Sequence, residues 1–159
     1  MAIGKTRLHR LAKNLANLKR TETRIWLKAA NVADVKNLII RLNTEVQLGQ
    51  LNVDSLGVRL SDIGGDYSPV TLQIAKEKGR PKRGSSDIDL HDTGDFWESF
   101  VVKIDAKGIT ISADTIKYGE DLRDDWGENI IGLTKESLEE VTKKILENYR
   151  KELKRSLFL

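Results

Sequence analysis

The sequence predicts an α+β domain with a long N-terminal helix, a small antiparallel sheet built on a β-hairpin, and a C-terminal helix. Apolar residues recur every three or four positions over residues 5–48 and 135–155, which indicates amphipathic helices. Between these stretches, apolar and polar residues alternate from Phe96 to Asp105 and from Ile109 to Ser112, the period of half-buried strands. We therefore expect the hairpin at about residues 96–113, with its turn at residues 105–108.

The composition is that of one folded domain. Of the 159 residues, 39% are hydrophobic and 32% are charged, which is typical of a globular chain rather than a disordered one. No apolar run approaches the roughly 20 residues of a membrane span, so no membrane contact is expected. The absence of cysteine excludes disulfides and thiolate metal sites. Within the single domain, 1–159, we distinguish an N-terminal helical region (1–49), a middle region of extended segment, short helix and mobile loop (50–88), and the hairpin with the C-terminal helix (89–159).

The N-terminal region carries a narrow apolar stripe, and its division into one helix or two stays open. A break is possible near residues 21–23 or near Asn31, where Asp34 would cap a second segment. Gly49 is the expected C-terminal end. The residues of the stripe are Leu8, Leu11, Leu15, Leu18, Ile25, Ala29 and Val32, followed by Val35, Leu38, Ile39, Leu42 and Val46.

Two further helices have recognisable starting residues. Ser68 is a suitable N-cap and Pro69 suits the first helical position, so a short helix should begin there and end at Gly79. Thr134 is the expected cap of the C-terminal helix. The stripe that we expect this helix to bury consists of Leu138, Val141, Ile145, Tyr149 and Leu153.

The acidic residues do not form a recognisable catalytic or metal-binding motif. Asp87, Asp89 and Glu98 occupy the first, third and twelfth positions of a calcium loop, but Asp92 stands where the sharp turn requires glycine. Asp105 with Lys107, or Asp114 with Lys117, could be combined into a two-metal nuclease site. Acidic residues beside turns are more often turn formers. We therefore expect no enzyme, no cofactor and no metal site.

Positive charge is concentrated in the N-terminal region, although the formal net charge is only +3. Lysine and arginine are frequent from Lys5 to Lys28, where Glu22 is the one acidic residue. A basic helix of this kind can bind nucleic acid through phosphates, and this is the alternative functional hypothesis. The residues expected to face DNA are Lys13, Lys19, Arg20, Arg24, Lys82 and Arg83.

A family resemblance is carried by the segment that opens the hairpin. Residues 93–100 read T-G-D-F-W-E-S-F and resemble the T-G-x-[LF]-x-x-S-[FI] segment of tail-completion, or head–tail joining, proteins of long-tailed phages. In that family a long helix precedes the sheet, and a second strand, an aromatic–glycine pair and a C-terminal helix follow. Tyr118 and Gly119 occupy the place of that pair. The family's usual Y-A-x-x-x-E-x-G-T ending is absent.

The resemblance implies a structural virion protein of the phage neck or tail, made in the host bacterial cytoplasm. Such a protein would form a homo-oligomeric ring of roughly six or twelve copies. The ring would contact portal or adaptor proteins on one side and tail tube or tail terminator proteins on the other. It would complete the DNA channel and could touch the passing DNA without sequence preference. The expected interface residues are the aromatic side chains Trp97, Phe96, Phe100, Tyr67 and Trp126.

Overall fold

The computed structural model describes the backbone of residues 7–158 and the side chains of residues 13–17 and 21–157. Within this part of the chain, helices are combined with two small antiparallel sheets, so the expected mixture of helix and sheet is confirmed. The elements are α1 (Arg7–Ala30), α2 (Ala33–Arg41), a π-helix (Leu42–Leu51), α3 (Leu60–Gly64), α4 (Pro69–Glu77), α5 (Asp95–Glu98), β1 (Val101–Asp105), β2 (Gly108–Ser112), β3 (Ile116–Lys117), β4 (Glu120–Asp121), α6 (Leu122–Trp126), a 3-10 turn (Glu128–Ile130) and α7 (Lys135–Phe158).

The expected long N-terminal helix is not supported as a continuous element. The chain breaks between α1 and α2, at the second of the two positions where a break was considered, and a π-helix follows α2. The π-helix ends at Leu51 and is capped by Asn52, which has a left-handed backbone with φ 55°; it does not end at Gly49. Asparagine tolerates this conformation, and here its amide donates to the carbonyl oxygens of Leu48 at 2.8 Å and Ile88 at 3.2 Å.

Two groups of buried residues form the interior. The first, which we call the helical core, joins α1, α2, β1 and α7 through residues such as Val35, Ile39 and Val141. Helices α1 and α7 run antiparallel, since the Asn14 amide donates to Leu157 O at 3.0 Å and the Asn148 amide to Ala29 O at 3.1 Å. The second group, which we call the loop core, comprises Leu48, Leu60, Ile88, Phe96, Phe100 and Ile130.

The hairpin is present but begins later than expected. Residues 95–98 form the helical turn α5, so Phe96 and Trp97 do not lie on a strand. The spacing of four between Phe96 and Phe100 fits a helical turn, in which residues four apart share one side. Strand β1 pairs with β2 from Val101 to Asp105, with Ile104 opposite Ile109. Strand alternation therefore holds only from Val101 onward.

The C-terminal helix is confirmed, and a buried amide contact holds its start against the π-helix. The Gln47 side chain donates to Gly132 O at 3.0 Å and accepts from Thr134 N at 3.0 Å. Asn43 accepts from Gly132 N at 2.9 Å. Both amide side chains are fully buried, and these partners satisfy polar groups whose burial would otherwise cost free energy. The contact therefore connects the helical core to the turn before α7.

The packing of α3 against α6 predicts that Gly64→Ala destabilises the fold. A Cβ at Gly64 would lie 2.5 Å from Trp126 Cε3 and 2.7 Å from the Asp125 carbonyl oxygen. We expect the free energy of unfolding to fall by about 1–3 kcal/mol, the usual cost of inserting a methyl group into a filled site. Urea unfolding of the variant measures this loss. Gly84→Ala is the matched control, because its Cβ would meet only the Asp87 side chain, at 3.2 Å. Equal unfolding midpoints for the two variants would show that α3 does not pack on Trp126.

Candidate assembly site

Helix α4, which we call the arm, presents apolar side chains to solvent. It begins as expected, with Pro69 in the first turn and the Ser68 hydroxyl accepting from Thr71 N at 3.1 Å. The structure describes all nine of its residues, and none of them is buried. Val70 is 66% exposed and Ile74 is 45% exposed. Because they are four residues apart, the two side chains lie on one face of the helix.

The two ends of the arm are held together by a hydrogen-bonded ion pair, which we call the anchor. Asp89 Oδ1 accepts from Lys82 Nζ at 2.7 Å and from the Tyr67 hydroxyl at 3.1 Å. Tyr67 directly precedes the arm's cap, and Lys82 follows the arm after a short turn. Burial raises the pKa of the Tyr67 hydroxyl, and the negative charge of Asp89 adds to the effect. Tyr67 therefore stays protonated and donates to Asp89 throughout the ordinary pH range.

Further contacts connect the arm and the following loop to the body. Lys78 Nζ lies 3.6 Å from the Asp92 carboxylate, and the Arg80 guanidinium donates to the Asp92 carbonyl oxygen. Arg83 donates to Gly49 O at 2.8 Å, at the end of the π-helix. The arm is thus an exposed helix on a fixed base, and the loop of residues 82–87 is connected to the body at Arg83.

A groove of about 730 Å³ lies between α1, the hairpin turn and α7. A second depression of about 490 Å³ continues along α7, and Thr142 and Leu146 line both. Leu138 was expected to be buried, but it is 51% exposed here, and Leu146 is 48% exposed. The apolar side chains of the groove come from Trp26, Ile109, Ile145, Leu146 and Tyr149, and its charged ones from Glu22 and Lys107.

Two of the five aromatic side chains expected at an interface are buried in the chain. Phe96 is 1% exposed and Phe100 is 5% exposed, with ring centroids 5.2 Å apart, so both belong to the loop core and do not face a partner. Trp97 is half-buried and donates from Nε1 to Asp89 O at 3.0 Å. Tyr67 belongs to the anchor, and Trp126 packs beside Gly64. Tyr67, Trp97 and Trp126 thus each have a partner within the chain but remain half-exposed, and their interface role stays a prediction.

The basic residues expected to face DNA differ in exposure and in their partners. Lys82 is wrongly placed in that set: its side chain is 8% exposed and pairs with Asp89. Arg83 is exposed, but its guanidinium donates to backbone carbonyl oxygens. Lys13 and Arg24 are exposed on α1. Lys19 and Arg20 also belong to α1, but their side chains lie outside the described residues.

The acidic residues that were considered as ligands have other partners. Asp105 accepts from Lys107 N at 2.8 Å and Asp114 from Ile116 N at 3.0 Å, so both form turns, as acids beside turns usually do. Among the side chains that the structure describes, no group of three or more histidine, aspartate or glutamate residues converges on a point where a metal ion could bind.

Sequence reasoning missed the four aliphatic residues that distinguish this site: Val70, Ile74, Leu138 and Leu146. A signal was available for the arm, because its apolar residues surround the helix rather than forming one stripe, the pattern of a helix covered on more than one side. For Leu138 on α7 there was none, since by spacing it continues the stripe that contains the buried Val141.

In the described part of the chain, no helix is long and apolar enough to cross a membrane. Comparison with known proteins identifies no relative: the chain matches no protein-family model, no curated protein and no solved structure.

Proposed function

We propose that this chain is a structural subunit of the neck or tail of a long-tailed phage, where it forms a ring between the head connector and the tail. The resemblance of residues 93–100 and of Tyr118–Gly119 to tail-completion proteins names this class. The exposed arm is the structural observation that carries the proposal. Apolar side chains that are grouped on an exposed surface often mark a site of protein–protein contact, and Val70 and Ile74 form such a pair on the arm.

The stability of the arm supports this argument. Isolated helices shorter than about 12 residues are marginal in water, and the arm has nine residues, none of them buried. Its cap, its anchor and the Lys78–Asp92 ion pair hold it in place. Holding two exposed aliphatic side chains on a fixed base lowers the entropic cost of binding a partner. The arrangement is therefore suited to docking.

The proposal predicts that the chain is a component of the particle. We expect mass spectrometry of purified virions to find it at roughly six or twelve copies per particle. Electron microscopy of the purified chain mixed with the products of neighbouring genes should show rings of the same copy number. Absence of the chain from both mature virions and tailless particles would contradict the proposal.

One observation favours nucleic-acid binding as the second candidate. Lys13, Arg24 and Lys28 are exposed and, at spacings of eleven and four residues, share one face of α1. Under this alternative, the chain binds duplex DNA with an affinity that falls steeply with salt, and Lys13→Glu with Arg24→Glu reduces the salt slope by about two. Lys103→Glu, on the exposed face of β1, is the matched control. Unchanged binding by the double variant would exclude α1 as the DNA site.

A further inference from the structure

We infer that the arm of one copy docks into the groove of a second copy, which gives a head-to-tail contact between identical chains. This contact would explain how copies assemble in the proposed function. The inference rests on the proposed function only for the step in which successive contacts close into a ring. The occupant of the groove is then the arm of a second copy of this chain.

The two surfaces match in shape and chemistry. The arm has a convex apolar pair, Val70 and Ile74, and the groove has a concave apolar lining that includes Trp26 and Leu146. A nine-residue helix is about 13 Å long. The stretch of α7 that carries the exposed Leu138 and Leu146, residues 138–149, is about 18 Å long by the same helical rise. Laying the apolar face of a short helix into such a groove is a common mode of protein recognition.

The charges at the two surfaces also match. Glu77 follows Ile74 by three residues, so it lies on the same face of the arm at its C-terminal end. Lys107, in the hairpin turn, is exposed at the rim of the groove. With Ile74 against Leu146, Glu77 can approach Lys107. Complementary charge of this kind sets the orientation of a docked helix more than its affinity.

The arm and the groove are formed by different elements of the fold. The groove is lined by residues of α1, the hairpin and α7, and none of the residues that line it belongs to the arm. The anchor holds the arm beside the loop core through Tyr67, Lys82 and Asp89. Because arm and groove are different surfaces of one chain, their contact between copies is heterologous, and repetition of such a contact gives a ring or a filament.

The contact is small. A nine-residue helix with two anchoring side chains buries less than the roughly 1,200 Å² of a stable interface. The purified chain at low concentration should therefore be mainly monomeric, with the contact formed transiently and strengthened when several copies are held together. For this reason the test must trap the contact rather than measure mass at equilibrium.

Cysteine cross-linking traps it, and the chain contains no cysteine of its own. Ile74→Cys and Leu146→Cys are made as separate chains, mixed at equal concentration and oxidised gently. We expect the mixture to give a disulfide dimer at a yield at least about fivefold above that of the control pair. The control pair is Lys76→Cys with Glu140→Cys, two exposed positions on the same helices, of which Glu140 does not line the groove. A single chain that carries both Ile74→Cys and Leu146→Cys should give a ladder of oligomers.

Charge reversal tests the register of the docked arm. In the mixture, Glu77→Lys on the arm chain should reduce the cross-linked yield, and Lys107→Glu on the groove chain should restore it. Restoration is specific to the pairing, because a general effect on folding would not be reversed by a second substitution in the other chain.

Three outcomes would overturn the inference: a mixed yield equal to that of the control pair, equally efficient dimers from Ile74→Cys alone, or an internal disulfide in the double variant. These failures are separate from failure of the proposed function, which the content of the particle decides. If the chain is found in virions but its arm does not cross-link to the groove, the proposed ring stands and the arm–groove contact is rejected.

Discussion

Phe96→Ala should lower the free energy of unfolding by about 3–5 kcal/mol, the usual cost of removing a fully buried aromatic ring. The ring is almost completely inaccessible and stacks edge to face on Phe100. It packs in the loop core with Leu48, Leu60 and Ile88, which come from three separate segments. Removing it opens a cavity where those segments meet. Urea unfolding followed by tryptophan fluorescence measures the loss.

Two variants make this result specific. Phe96→Leu retains most of the volume and should cost less than Phe96→Ala. Val70→Ala removes an exposed side chain from the arm and should change stability by no more than about 0.5 kcal/mol. If Phe96→Ala were as mild as Val70→Ala, Phe96 would be at the surface, as the aromatic interface expected from the sequence requires.

Asp89→Ala should lower the free energy of unfolding by about 2–4 kcal/mol, because it removes the partner of Lys82, whose side chain is only 8% exposed, from a partly buried ion pair. The carboxylate accepts from Lys82, Tyr67 and the backbone N–H of His91. Without it, the ammonium of Lys82 keeps little solvent contact and loses its counter-charge. We expect urea unfolding to show the loss, and hydrogen exchange of the backbone amides of residues 72–77 to accelerate.

The controls separate a buried charge from a general loss of contacts. Glu140→Ala breaks the ion pair between Glu140 and Arg41, whose charged atoms are 3.5 Å apart and whose side chains are about half exposed. This substitution should lower the free energy of unfolding by no more than about 0.5 kcal/mol. Adding Lys82→Met to Asp89→Ala should recover part of the stability, since the unpaired ammonium is then gone. No recovery in the double variant would mean that the anchor acts through hydrogen bonds alone.

Local patterns predicted the elements whose determinants lie close together in the chain. Ser68 and Pro69 start the arm, and the Asp105–Gly108 turn joins the hairpin strands, as expected from adjacent residues. The C-terminal helix also follows from its own periodicity. The sequence favours a strand from Phe96 because the spacing of four between Phe96 and Phe100 satisfies a period of two as well as a helical turn. In the structure, Gly94 has a left-handed backbone with φ 99° and directly precedes the helical turn.

The candidate site was less predictable, because it depends on which faces other segments cover. By spacing, Leu138 and Val141 both belong to the stripe of α7, yet only Val141 is buried. Lys82 lies in a basic cluster of the sequence but pairs with Asp89, and the turn after the arm brings the two together. Exposure and pairing of this kind are properties of the packed chain.

The amino-acid sequence alone determined the mixture of helix and sheet, the starting residues of the arm and the position of the hairpin turn, because capping, turn chemistry and periodicity act over a few residues. Only the tertiary structure decided that Phe96 is interior while Val70 and Leu146 are exposed. The physical reason is that burial is a relation between distant segments: an apolar side chain contributes to a core only where another part of the chain excludes water from it.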